Sequence, residues 1–310
     1  MNLHIPGPSQ REPLQTKASR RMTLILYTPF HQFFELVLTI YQVAFSSDSV
    51  TTINSFGYSP HPLSQYLEWI ETIFASHHSG KPIIISIAAS DPTNLRDMLQ
   101  DIQFLRAKLQ DQQAPPEKCK IAVEFNLSCP NIADSAPLGY IHESILPFAV
   151  VMRDAIKGDP TLTIGCKMPP YVHQAQFTDF LKMLSSLIID VNGEKRCPIS
   201  FLTSTNTLGN SLLFSSSATD PLSLFALPTP LGGLAGESIH ALSLGNVFTF
   251  KRLVSSQTYV GLGDLKIIGV GGVTSKAAVG RMRKAGADAV GCATLYGKEG
   301  VRAFEILSTE

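Results

Sequence analysis

Lys120-Ile121-Ala122-Val123-Glu124-Phe125-Asn126-Leu127-Ser128-Cys129-Pro130-Asn131 is the stretch on which the reading of this chain turns. Its first half is an apolar, β-branched run of strand length. Its second half sets one thiol between two side-chain amides, and Pro130 makes the chain turn before another helix starts. A strand that ends in functional side chains is the unit from which α/β proteins build their sites.

The unit repeats along the chain. Strand-like runs at 83–87, 121–125, 162–167, 199–204, 265–270 and 287–292 alternate with amphipathic runs at 62–78, 94–109, 142–156, 174–189, 238–253 and 275–285. That alternation predicts βαβ units and a parallel sheet. An open doubly wound sheet would gather its ligand residues at one switch point. Here polar and glycine-rich residues follow several strands, at 126–131, 167–171, 205–210, 271–272 and 293–294. The expected fold is therefore α/β, a (β/α)8 TIM barrel. No Gly-, Ser- or Pro-rich linker divides it, so residues 14–310 read as a single domain, with 1–13 unassigned.

Bulk composition narrows the function. With 25 basic and 25 acidic residues and 44% hydrophobic residues, the chain carries a sizeable core and no general attraction for nucleic acid or anionic membranes. The apolar region between Leu24 and Phe45 is interrupted by Pro29, His31, Gln32 and Glu35, which argues against a membrane span. Five cysteines at irregular spacing, without a CxxC pair, argue against a disulfide framework or zinc site. With no signal-peptide pattern at the start, a cytoplasmic protein is expected.

Three further stretches carry chemistry. Gly269-Val270-Gly271-Gly272-Val273 ends a strand just before a helix, and reads either as a backbone cradle for phosphate or as a tight turn. Ala293 and Thr294 end the next strand, where a barrel can share one phosphate between neighbouring strand ends. Lys167 closes an apolar run ahead of Pro169 and Pro170; it is either a solvated lysine or a cation fixed at the barrel mouth. Thr205, Asn206 and Thr207 end another strand with hydrogen-bonding groups. Cys129 itself could serve as base, nucleophile or inert thiol, and no pattern nominates a histidine partner for it.

Taken together, 126–131, Lys167-Met168-Pro169-Pro170-Tyr171, 206–210, Gly232-Gly233-Leu234-Ala235-Gly236 and Gly269-Val270-Gly271-Gly272 resemble, in order, the motifs of the dihydroorotate dehydrogenase family. These are flavin enzymes on a (β/α)8 barrel. The cysteine resembles class 1 members, and Pro-Pro-Tyr after Lys167 is similar to the single-subunit, fumarate-linked branch. The resemblance implies oxidation of dihydroorotate to orotate with FMN as cofactor, fumarate as acceptor and a homodimer. It implies Cys129 as base. Substrate would be held by Lys17, Asn54, Phe56, Gly57, Tyr58, Asn126, Asn131, Asn206 and Thr207. FMN would be held by Lys17, Ala18, Asn126, Lys167, Thr205, Gly232, Gly233, Gly271, Gly272, Ala293 and Thr294.

Ala18 and Ala293 depart mildly from the family pattern, and the family's first strand and helix have no counterpart before Thr16. The expectation is a barrel missing or replacing its first βα unit. A second reading follows from that gap: a catalytically impaired barrel retained as a binding protein.

Overall fold

The structure is a computed structural model that describes residues 43–308 apart from 48, 58, 60, 77–80, 115–119, 129–136, 192, 216–223 and 257. In chain order its strands are β1 (Val43–Phe45), β2 (Thr51–Asn54), β3 (Ile83–Ile87), β4 (Ile121–Asn126), β5 (Thr163–Met168), β6 (Ile189–Val191), β7 (Glu194–Arg196), β8 (Phe201–Ser204), β9 (Leu208–Ser211), β10 (Gly232–Gly236), β11 (Lys266–Gly269) and β12 (Ala289–Val290). Its α-helices are α1 (Leu63–Ser76), α2 (Pro92–Lys108), α3 (His142–Gly158), α4 (Gln174–Ser185), α5 (His240–Ser255), α6 (Lys276–Ala285), α7 (Thr294–Glu299) and α8 (Arg302–Leu307).

The buried β-branched runs pair with one another. Six strands form one parallel sheet in the order β12-β11-β8-β5-β4-β3, with α2, α3, α4, α5 and α6 in the successive crossovers. Spatial order follows chain order throughout, with no reversal of the kind that defines a doubly wound sheet. This is the greater part of a (β/α)8 barrel, and the expected fold holds.

Helix ends follow local chemistry. Asp91 caps α2 by accepting from Thr93 N and Asn94 N, Pro92 opens the helix, and Arg106 and Lys108 occupy its last turn. Ser275 caps α6 by accepting from Ala278 N, and Gly286, at φ +106°, closes it in a left-handed turn. Leu95, Leu99, Ile102 and Leu105 on α2 share the outer core with Phe125, Phe148, Phe177, Phe180 and Phe250. A separate inner cluster of Ile84, Ala122, Phe201, Ile268, Val270 and Ala289 fills the concave side of the sheet. Gly165 makes room there, because a Cβ at that position would lie 2.2 Å from the Phe201 ring.

Two expectations shift at their edges. The helical pattern at 174–189 stops at Ser185, and Ile189 joins the β6–β7 hairpin. Leu187 and Ile189 are buried like the helix's own apolar residues, so periodicity there reports burial and not conformation. The antiparallel sheet β1-β2-β10-β9 has little sequence signature, because β10 is built of Gly, Gly, Leu, Ala and Gly, residues of low strand propensity.

Arg106 ties three of these elements together. Fully buried, it donates from Nε to Asp111 Oδ2 at 3.0 Å and from Nη1 to Asp159 Oδ2 at 2.6 Å, and from Nη2 to Thr161 Oγ1 at 3.0 Å. Asp111 in turn accepts from Lys120 N at 2.6 Å, so α2 is locked to the approaches of both β4 and β5. Burial pushes the Asp159 carboxyl up, but hydrogen bonds from Thr161 and Gln103 and the Arg106 charge outweigh it and hold it below its usual range. A depressed carboxyl stabilises the fold above its unfolded value of about 3.9, and that contribution is lost as pH falls through the lower folded value. Arg106→Met should cost roughly 3–5 kcal/mol by stranding the buried Asp111 and half-buried Asp159 carboxylates, read as a lower urea midpoint at neutral pH, and the deficit should shrink in acid.

Candidate active site

Parallel register places the polar strand ends side by side. Asn126 of β4 stands opposite Lys167 of β5, and Lys167 opposite Thr203 of β8. Partners in a parallel ladder face the same way, so these side chains share the concave side with the inner cluster. Asn206 extends the row: its N–H donates to Met168 O at 2.8 Å, its Nδ2 to Asn126 Oδ1 at 3.2 Å, and its Oδ1 accepts from Thr207 N at 2.8 Å. Asn126 Oδ1 also accepts from Ser128 N at 3.0 Å.

The start of the cysteine loop is held from two directions. Leu127 N donates to Lys167 O at 3.0 Å, and Gly139 N donates to Leu127 O at 2.7 Å. Tyr171 Oη donates to Gly139 O at 2.6 Å, while Asn246 holds the Tyr171 backbone by accepting from its N–H at 2.8 Å and donating to its carbonyl at 2.9 Å. The Pro-Pro-Tyr segment after Lys167 thus braces the base of the loop that carries Cys129.

Lys167, Thr205, Asn206, Thr207, Gly271, Gly272, Ala293 and Thr294 line one cavity of about 60 Å³. On the same measure roughly 10–15 Å³ admits one water, so the space suits a group the size of a phosphate. Lys167 is half-buried and its ammonium has no hydrogen bond or ion pair among the described residues. The backbone N–H groups of Gly271, Gly272, Val273 and Thr274 likewise donate to no acceptor among the described residues, although the first three residues are buried. Buried N–H groups are rarely left unpaired, and a run of them before the N-terminus of α6 fits an anion.

Glycine is required at this turn. Gly271 and Gly272 have φ of +123° and +64°. A Cβ on Gly271 would sit 2.0 Å from Ser243 Oγ, and one on Gly272 would sit 2.5 Å from His240 Cβ and 2.8 Å from Gly236 O. The turn is therefore pressed onto the first turn of α5. Ser243 Oγ also pairs with Thr205 Oγ1 at 3.0 Å, which joins two walls of the cavity through one buried hydroxyl.

Asn54 and Gly233 form a neighbouring group outside the cavity lining. Asn54 Nδ2 donates to Gly233 O at 3.2 Å and its Oδ1 accepts from Phe56 N at 3.3 Å. Gly233 packs on Thr207, whose Oγ1 would lie 2.3 Å from a Cβ there, and Gly232 packs on Asn54 O. Phe56 and Gly57 follow Asn54 on the same loop and do not line the cavity. Lys17, Ala18, Tyr58, Cys129 and Asn131 lie outside the described residues. Sequence reading passed over the cavity-lining Thr274; Cys292 lines the cavity as well, and burial pushes its thiol up, so it serves as a small neutral wall. The described residues include no metal-binding group and no helix long and apolar enough to cross a membrane.

Fold and cavity together define a (β/α)-barrel protein whose candidate site lies at the carboxyl ends of its parallel strands. The family model for dihydroorotate dehydrogenase matches residues 43–310, and the chain belongs to that family. Among curated proteins it is 24% identical over 263 residues to the "Probable dihydroorotate dehydrogenase A (fumarate)" of Streptococcus pneumoniae, and 25% identical over 263 residues to the "Dihydroorotate dehydrogenase (fumarate)" of Saccharomyces paradoxus. It is also 25% identical over 267 residues to the protein of that second name from Saccharomyces mikatae. Each match covers 84% of this chain and 71% of the relative.

Gly271→Ala tests the tight turn. It should lower stability by about 1–3 kcal/mol through positive φ and overpacking against Ser243, seen as a fall in thermal midpoint. Gly209→Ala is the control: no atom lies within 4 Å of its would-be Cβ, and its midpoint should hold.

Proposed function

We propose that this chain is an FMN-dependent dihydroorotate dehydrogenase that oxidises (S)-dihydroorotate to orotate, with fumarate as electron acceptor, as a cytoplasmic homodimer. The observation that supports this best is the cavity in which a half-buried Lys167 meets the N–H groups of the Gly271–Gly272 turn, none of them paired among the described residues. A cation beside a backbone anion cradle suits a cofactor with a phosphate at one end and a ring that becomes negative on reduction at the other. The family match supports the same chemistry.

In this reading Gly271, Gly272, Ala293 and Thr294 hold the phosphate of FMN, while Gly232, Gly233, Thr205 and Asn126 bound the rest of it, with Lys17 and Ala18 beyond the described residues. When bound, FMN supplies the acceptor for the hydride that leaves C6 of dihydroorotate. Cys129 takes the proton from C5, a base's task that a thiolate performs far better than a hydroxyl. Lys167 places positive charge against the ring edge where negative charge builds. Asn54, Asn126, Asn131, Asn206 and Thr207, with Phe56, Gly57 and Tyr58, hold the substrate; its ring alternates N–H and C=O groups, which side-chain amides pair on both counts. Asn126 suits this task because its Oδ1 is already fixed by Asn206 and Ser128, and its Nδ2 is free among the described residues.

Purified protein should carry or take up FMN, and dihydroorotate should bleach the flavin absorbance without oxygen. A protein that takes up no added FMN would sink this reading, and one that binds FMN but is not bleached would favour an impaired barrel. Cys129→Ser should keep FMN yet slow flavin reduction near neutral pH by roughly 10²–10⁴-fold. Lys167→Ala should weaken FMN binding or lower the potential of the bound flavin, measured by titration against a reference dye.

A further inference from the structure

His240 opens α5 and stands against the glycine turn without lining the cavity. Its Nδ1 lies 2.8 Å from Gly271 O, and its Nε2 lies 2.9 Å from Arg281 Nε. Each contact fixes a proton. An arginine Nε–H is always a donor, so His240 Nε2 is the acceptor and carries no hydrogen. A carbonyl oxygen only accepts, so Nδ1 carries the hydrogen and donates it. The imidazole in this arrangement is neutral and in the Nδ1–H form, and a second proton on Nε2 would face the Arg281 N–H.

The bond to Gly271 O has a consequence across the peptide plane. In a planar trans peptide the carbonyl of one residue and the N–H of the next point in opposite directions. With Gly271 O drawn toward His240, outside the cavity lining, the Gly272 N–H is turned to the opposite side. Gly272 lines the cavity and its N–H has no acceptor among the described residues. The close approach of His240 Cβ to the space beside Gly272 keeps the turn from rotating.

We infer that His240, held by Arg281 in its neutral Nδ1–H form, is a positioning residue that aims the Gly272 N–H at a bound phosphate. This deepens the FMN reading and rests on it. Flavin affinity depends on the pair through the phosphate alone, so riboflavin, which lacks that group, is the discriminating probe.

Two measurements test it. In full-length protein without flavin, long-range ¹H–¹⁵N NMR of labelled histidines should find His240 protonated on Nδ1 with Nε2 as a hydrogen-bonded acceptor, and Arg281→Met should keep the Nδ1 proton, still held by Gly271 O, while shifting the Nε2 resonance as its donor is lost. An Nε2–H tautomer in the wild-type chain overturns the inference. In flavin titrations, His240→Leu should weaken FMN by roughly tenfold, about the worth of one lost hydrogen bond, and leave riboflavin unchanged. His240→Asn, whose amide N–H can reach the same carbonyl, should recover most of the FMN affinity. Equal losses for both flavins would mark a merely structural residue and overturn the inference, as would no loss for FMN. Wild-type protein that binds neither flavin overturns the parent reading and this inference together, whereas an unresponsive His240→Leu overturns only the inference.

Discussion

Register between parallel strands is the constraint on which the candidate site depends. Side chains alternate between the two faces of a strand, so a slip of one residue moves every one of them to the wrong side. With Asn126 opposite Lys167, Lys167 opposite Thr203 and Thr203 opposite Ile268, one level of the barrel carries an amide, a cation, a hydroxyl and an apolar floor. On either side of Lys167 along β5, Cys166 and Met168 face the helices and are fully buried. The apolar burial that sets the register is thus the same force that delivers Lys167 to the interior.

Above that level the site is held by backbone as much as by side chains. Leu127 and Asn206, the first residues past β4 and just past β8, hang on the Lys167 and Met168 carbonyls. Ser243 and His240, one turn apart on α5, hold the Thr205 strand end and the Gly271 turn. Tyr171, pinned by Asn246 of the same helix, reaches across to Gly139. Helix α5 therefore touches three walls of the candidate site without supplying a residue of the conventional motifs. Rigid supports of this kind are what hold a site to the sub-ångström tolerances that binding and catalysis demand.

The parallel half of the fold was legible because its strands are buried on both faces, so the chain spells them as continuous β-branched runs. The cavity was largely legible too, since glycine at 271 and 272 and polar groups at 167 and 205–207 are costly choices in a core and stand out against it. The antiparallel sheet was not legible. Its strands are short, and β10 pairs by backbone at glycines pressed against Asn54, Thr207 and Val50, where a side chain that would announce a strand has no room. His240, Ser243 and Arg281 were invisible for another reason: each acts on a backbone or side-chain atom more than thirty residues away, and no local spacing encodes that.

Polar groups at the carboxyl ends of these strands come at a cost that the inner cluster has to offset. Thr203 Oγ1 and Ser204 Oγ are buried with no partner among the described residues, each worth roughly 1–3 kcal/mol of lost solvation. Neither is forced by the fold, since valine or alanine would fill a sheet position as well. Thr203 lies beside Lys167 in register, at the level where the proposed substrate and flavin meet. One level below Thr203, Glu124, Gly165 and Phe201 stand in register, and there the buried Glu124 is compensated by accepting from Ser86 Oγ at 2.9 Å. Lys167 is the group of this level that lines the cavity, and since its ammonium has no partner among the described residues, an acceptor-rich ligand there would offset part of that cost.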